Sequence, residues 1–253
     1  MQIDSQENFF ERHVESYMSL TPWTRDQGLT DKITGAVGTA QGTCVELAAG
    51  GGQVASAVGT GSGARWFAID VNRYMFPVGG DGDIVPIVAD GQDLPIKDDA
   101  VDLIVCRSGL HYIGVDRALR EMARVLRLGG RFVIAQKVAD GLEDASDLAW
   151  FREVQRLRSV VPREWYFSER LVDEFARSGF SQLDLVTHDE SYEFDLDQWT
   201  GRDGFFSQEV SEQLAKLVER GRDERFARRT GCHFVGHSLT LRYRWAIVSG
   251  VLG

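Results

Sequence analysis

The run Val45-Glu46-Leu47-Ala48-Ala49-Gly50-Gly51-Gly52 carries an apolar segment with one carboxylate into a cluster of glycines. Glycine lets the backbone approach a ligand closely, and a helix starting just beyond would offer unpaired N–H donors. Further along, Trp66-Phe67-Ala68-Ile69-Asp70 ends a second apolar segment in a carboxylate. That spacing suits a group gripping the two hydroxyls of a ribose. Asp70 is also a good helix N-cap residue, which is the competing reading for it. A third element, Arg107-Ser108-Gly109-Leu110-His111-Tyr112, follows another apolar segment. A histidine there suits proton transfer to or from a hydroxyl or amine, or serves as a packed pocket wall.

These groups meet only if the apolar segments lie side by side. Short apolar runs at 43–48, 65–70, 84–88, 101–106, 131–137, 182–187 and 239–248 read as strands. Helical patterns at 53–58, 72–76, 115–126 and 168–178 alternate with them. The alternation predicts an α/β fold, a Rossmann-like, mostly parallel seven-stranded sheet with helices on both faces. In such a sheet, ligands gather at the carboxyl ends of the strands.

The expected organisation is a single domain over 1–253 with additions. Residues 5–20 place Phe9, Phe10, His13, Val14, Tyr17 and Leu20 near helical spacing, and a second helix follows Pro22 and reaches Val37. Together they form a helical cap over 1–40. Helical insertions are expected at 140–167 and 195–230, where a substrate cover could form.

Besides the two segments above, the chain contains Val88-Ala89-Asp90-Gly91 followed by Leu94-Pro95. It also contains Ala100-Val101-Asp102-Leu103-Ile104-Val105 and Glu121-Met122-Ala123-Arg124-Val125-Leu126-Arg127-Leu128-Gly129-Gly130. With these it resembles the class I S-adenosylmethionine-dependent methyltransferases, particularly the small-molecule branch of the ubiquinone/menaquinone-biosynthesis type. The resemblance implies S-adenosylmethionine as cofactor. Glu46 and the loop of Ala48, Gly50 and Gly52 would surround its methionine portion. Asp70, with Val71 beside it, would receive the ribose, and Asp90 with Gly91 would face the adenine. Backbone around Arg107 would touch the cofactor's amino group, and an aromatic residue on the first helix, Tyr17, would close over it. His111 would lie at the boundary of the acceptor pocket as the catalytic candidate. The turn 127–130 would be structural. The chain departs from the family at Ala48, usually glycine, where a methyl could crowd the cofactor, and at Leu128, often proline.

The reaction implied is methylation of oxygen, nitrogen or carbon on a small organic acceptor, such as a specialised biosynthetic intermediate. The alternative is the same fold binding cofactor without transferring methyl, as a repurposed catalyst or regulatory partner. The acceptor side would draw on Trp23, Trp150, Phe151, Trp165, Tyr166, Phe167, Phe205 and Phe206, with plain core packing as the other reading.

Composition narrows the partners. A net charge of −10 disfavours a nucleic-acid partner, since such affinity comes from Lys and Arg displacing counterions. Arg220, Arg222, Arg225, Arg228 and Arg229, interrupted by Asp223 and Glu224, read as a solvated helix face. Cys44, Cys106 and Cys232 suit a reducing cytoplasm as buried small hydrophobes, and no cysteine or histidine spacing suggests a metal site. Residues 1–10 lack the apolar core of a signal peptide, and no apolar run is long enough to enter a membrane as a span. Pairing of two chains is the default expectation for association.

Overall fold

The computed structural model describes residues 21–59, 61–76, 84–158, 167–202, 205–236 and 238–253. The expected helix at 5–20, with His13 and Tyr17, lies outside the described residues, as do Trp165, Tyr166 and His237. The chain divides into two compact units, the larger formed by 25–137, 166–188 and 245–253.

In the larger unit the strands are β1 (Thr43–Leu47), β2 (Arg65–Asp70), β3 (Ile84–Val88), β4 (Val101–Arg107) and β5 (Leu126–Val138). Parts of the long strands β6 (Phe180–Asp195) and β8 (Ser238–Leu252) complete its sheet. They lie in the order β3-β2-β1-β4-β5-β8-β6. β1 pairs in parallel with both β2 and β4, and the β2–β3 and β4–β5 pairs are parallel too. The chain therefore leaves β1 in one direction for β2 and β3 and returns to its other side at β4. The carboxyl ends of β1 and β4 flank the resulting crevice, where open α/β sheets bind ligands.

The helix Gln27–Val37 starts where the Asp26 carboxylate accepts the Leu29 amide at 2.9 Å and buries Leu29, Ile33 and Val37. Asp26 also meets His188 Nε2 at 3.1 Å. The helix Val115–Val125 buries Val115, Ala118, Leu119, Met122 and Val125, the repeat of one helical face. It stops one residue earlier than the sequence pattern suggests, because Leu126 is already extended and pairs with Val101. A register shift separates that pair from Leu103–Arg131, and Gly129 takes φ 74° in the intervening turn. Leu128 is exposed there, so losing the family's proline costs no packing.

The smaller unit comprises the described residues of 1–24, 138–165 and 189–244. It holds the helices Ala145–Arg158, Leu196–Thr200, Gln208–Val218 and Glu224–Thr230. Its core is Trp150, Val154, Leu157, Tyr192, Phe194, Trp199, Leu214, Val218 and Phe226 with neighbours. The pattern at 195–229 reads as one helical stretch, but Gly201 takes a left-handed φ and breaks it, and Asp223 caps a fresh helix at Glu224 that ends at the left-handed Gly231. After Gly231 comes β7 (Cys232–Val235), an eighth strand antiparallel to the start of β8 and absent from the sequence expectation. Four residues are too short to register as a pattern. The expected helix at 72–76 is only a 3-10 turn, Arg73–Met75, begun by the Asn72 side chain.

The five arginines of the cluster are all exposed, as the solvated-face reading expects, and some of them also make tertiary contacts. Arg229 grips the buried Asp147 through two bonds of 2.6 and 3.1 Å, and Arg220 stacks over Phe226 at 4.3 Å. A carboxylate as buried as Asp147 requires such a partner.

Candidate active site

The glycine turn joins β1 to the helix Gln53–Gly59, and its conformation requires glycine at two positions. Gly50 and Gly52 take φ 54° and 74°. Among the described residues, a Cβ at Gly52 would meet nothing closer than Ala68 Cβ at 3.7 Å, and at Gly50 only the Met75 methyl at 3.4 Å. Among the described residues the turn thus leaves space beside its backbone at the switch point of the sheet.

Asp70 at the end of β2 holds this turn from the side. One carboxylate oxygen accepts the Gly50 amide at 2.8 Å and the other accepts the Asn72 amide at 3.0 Å. The helix-cap alternative for Asp70 falls to Asn72, whose side chain accepts from Tyr74 N at 3.0 Å. Burial pushes the Asp70 carboxyl above its ordinary range, and the Asn72 and Gly50 amides oppose that.

Glu46 is buried and faces the start of the following helix. Its oxygens accept the Val54 and Ala55 amides at 3.3 and 2.7 Å. Burial raises its pKa to about 7, opposed first by the Ala55 amide and then by the charge of Arg107. Glu46 thereby ties the strand before the glycine turn to the helix after it.

Ala48 stands at φ 50°, a conformation that costs an L-residue roughly 1–2 kcal/mol. Its methyl abuts Gly109: a Cβ on Gly109 would lie 2.5 Å from Ala48 Cβ and 2.6 Å from Cys106 Sγ.

At the end of β3, Asp90 accepts the Gln92 amide at 2.9 Å, and Gly91 is buried against Ile113, which would stand 2.8 Å from a Cβ there. Val71, beyond Asp70, is exposed. Arg107 ends β4, buried, and reaches Gln53 Oε1 at 3.4 Å. Ser108 follows at φ 58° with its amide on Ala135 O at 2.8 Å, so the chain turns sharply into the short helix Leu110–Ile113. That turn buries His111, whose Nδ1 lies 2.7 Å from the amide nitrogen of Gln136 on β5.

Glu46, Ala48, Gly50, Gly52, Asp70, Arg107 and His111 therefore all stand at the carboxyl ends of β1, β2 and β4 or in the turns leaving them, with Asp90 and Gly91 just past β3. Gln53, Asn72 and Gln136 are the members that sequence reasoning missed. Gln136 alone carried a signal, a polar residue within an apolar strand.

The segment 121–130 supports the site from beneath. Glu121 accepts the Leu94 amide at 2.9 Å, and Arg124 donates to Ile96 O, Leu94 O and Asp98. The Arg124 guanidinium also binds Glu121 at 2.6 Å and holds that carboxyl below its usual range. This motif clamps the loop after Asp90. Burial pushes the thiols of Cys44, Cys106 and Cys232 up to about 11, 12 and 12, matching the reading of inert cysteines. Trp150 sits in the core of the smaller unit, edge-on to Phe226 at 5.0 Å, which favours core packing for it. No described helix is long and apolar enough to cross a membrane.

Residues 45–134 match the family model described as a methyltransferase domain. No curated protein matches the chain. Among solved structures, the YcgJ protein of Bacillus subtilis superposes with a TM-score of 0.70 at 20% identity, over 89% of this chain and 97% of that one. Geranyl diphosphate C-methyltransferase of Streptomyces coelicolor, solved with geranyl diphosphate, magnesium and S-adenosylhomocysteine, gives 0.57 at 14% identity over 90% and 79%. The 4+2 cyclase SpnF gives 0.57 at 16% identity over 88% and 79%. At these identities the likeness is one of fold.

Proposed function

We propose that this chain, which has the class I methyltransferase fold and matches a methyltransferase-domain model over residues 45–134, is an enzyme that moves the methyl group of S-adenosylmethionine onto a small organic acceptor. The observation that carries this reading is the turn after β1, open beside Gly50 and Gly52 and braced by Asp70 from the end of β2. A backbone cradle with a carboxylate at the next strand end suits a nucleoside bearing an extended chain. Neighbours of the same fold that handle S-adenosylhomocysteine add support.

Gly50, Gly52 and Ala48 would lie along the methionine portion, Asp70 and Val71 at the ribose, and Asp90 and Gly91 at the adenine. Arg107 and its following turn would meet the amino group, Glu46 would hold the cradle from behind, and Tyr17 would close over it. Bound there, S-adenosylmethionine supplies an electrophilic methyl on a sulfonium, displaced in line by the acceptor. The protein's own work is to orient the acceptor and exclude water. His111, at the turn leaving β4, meets the acceptor through Nε2, the ring nitrogen that Gln136 leaves for a proton or a hydrogen bond.

The acceptor in this reading is a metabolite rather than a nucleic acid, given the net charge of −10, and the chain works as one methyltransferase domain in the cytoplasm, alone or as a homodimer. Incubation with methyl-labelled S-adenosylmethionine and a panel of phenols, amines and carboxylic acids tests it: label should pass to an acceptor and S-adenosylhomocysteine should accumulate.

One observation favours a second reading, binding without methyl transfer. SpnF uses the same fold as a cyclase, and Ala48 replaces a cofactor-loop glycine here. Cofactor binding with no label transfer across a broad panel would select it.

A further inference from the structure

Gln136 is 1% exposed, on the apolar strand β5, and among the described residues its carbonyl oxygen has no hydrogen-bond partner. A buried amide with an unsatisfied oxygen is a worse core residue than methionine of similar volume. What the amide supplies is its nitrogen, 2.7 Å from His111 Nδ1 and 3.4 Å from the Lys137 carbonyl oxygen. Both neighbours can accept. An oxygen in that place would face another carbonyl oxygen, so the nitrogen belongs there.

We infer that Gln136 is a positioning residue that sets the tautomer of His111. An amide nitrogen only donates, so Nδ1 must present its lone pair, and the neutral ring carries its one proton on Nε2. Protonating Nδ1 would set one N–H against another. His111 is thereby held as a neutral hydrogen-bond donor and is blocked as a general base.

This rests on the proposed reading only in placing His111 beside the acceptor; the tautomer stands apart from it. Given that placement, the substrate class narrows. The group methylated, or one next to it, must accept a hydrogen bond from Nε2–H. The nucleophile must already have lost its proton, as a phenolate, carboxylate or neutral amine has.

The test is long-range nitrogen–proton NMR of the full chain labelled at its five histidines, with the His111 signals assigned by their loss in His111→Phe. The expected result is a bare Nδ1 and a protonated Nε2 in the unliganded wild type at neutral pH. Gln136→Met should release that single tautomer. Gln136→Glu, whose carboxylate accepts, should move the proton to Nδ1. A protonated Nδ1 in the wild type overturns the inference with no variant needed, and an unchanged His111 spectrum in folded Gln136→Met overturns the role of Gln136. Calorimetry with S-adenosylhomocysteine on the same samples reports on the methyltransferase reading separately, since the tautomer is read without cofactor or turnover.

Discussion

The methyl group of Ala48 occupies the space that a side chain on Gly109 would need, with the two Cβ positions 2.5 Å apart. Of these two positions in adjacent strand-end turns, only one can carry a side chain. Gly109→Ala alone should destabilise the chain by about 1–3 kcal/mol through overpacking. Ala48→Gly alone should be neutral or stabilising by up to about 1 kcal/mol, because it relieves the left-handed conformation. In the double variant, part of the Gly109→Ala loss should return, with Cys106 Sγ limiting the recovery. Denaturant melts of the four proteins check this, and strict additivity would show the two sites to be independent.

Glu46 makes stability fall with pH. Its folded pKa of about 7 lies above its ordinary 4.5, so the folded chain holds this proton more tightly than the unfolded chain does. The favourable contribution is intact below about 4.5 and is lost as pH rises to about 7, by about 3 kcal/mol at most. Glu46→Gln should therefore gain stability relative to wild type as pH rises from about 5 to about 8, above the unfolded pKa. Urea melts across that range would show it; parallel curves would contradict the assignment.

Asp70 should matter more to cofactor than to folding. Asp70→Ala removes the group that braces Gly50 and, in the proposed reading, the ribose partner. Affinity for S-adenosylhomocysteine should drop roughly tenfold to a hundredfold, the range for a hydrogen bond to a charged group. Asp70→Asn, which keeps an acceptor, should lose less. Equal affinity in folded Asp70→Ala would remove Asp70 from the site.

Arg124 clamps the loop after Asp90 through a forked guanidinium that reaches Ile96 O, Leu94 O, Asp98 and Glu121 together. Arg124→Lys keeps the charge but cannot span those partners. Its Tm should fall nearly as far as that of Arg124→Met, and a full rescue by lysine would show that charge alone sufficed.

Strands β1 to β5 and the glycine turn were legible because their information is local: apolar runs of strand length, with glycines clustered after β1 and a carboxylate at the end of β2. The helix Val115–Val125 was legible from one repeating face. The short strand Cys232–Val235 was not, since its pairing with β8 is decided by Gly236 and the turn rather than by four residues of pattern. Site geometry was less legible than site position. Nothing in the neighbours of Glu46 says that it turns toward the Val54 and Ala55 amides, or that Asn72 rather than Asp70 caps the next turn. The partner of His111 lies 25 residues away on another strand, a contact that only the sheet register creates. Asp147 and Arg229, 82 residues apart, form the same kind of pair, invisible in a sequence pattern that rightly placed the arginines on an exposed face.

The most direct measurement of the central claim is calorimetric titration of the folded chain with S-adenosylmethionine and S-adenosylhomocysteine, with NAD as the control for shared glycine-loop and ribose chemistry. The account predicts saturable binding of both sulfur compounds and none of NAD. Folded protein that takes up neither sulfur compound, or that takes NAD as well as either, would contradict it.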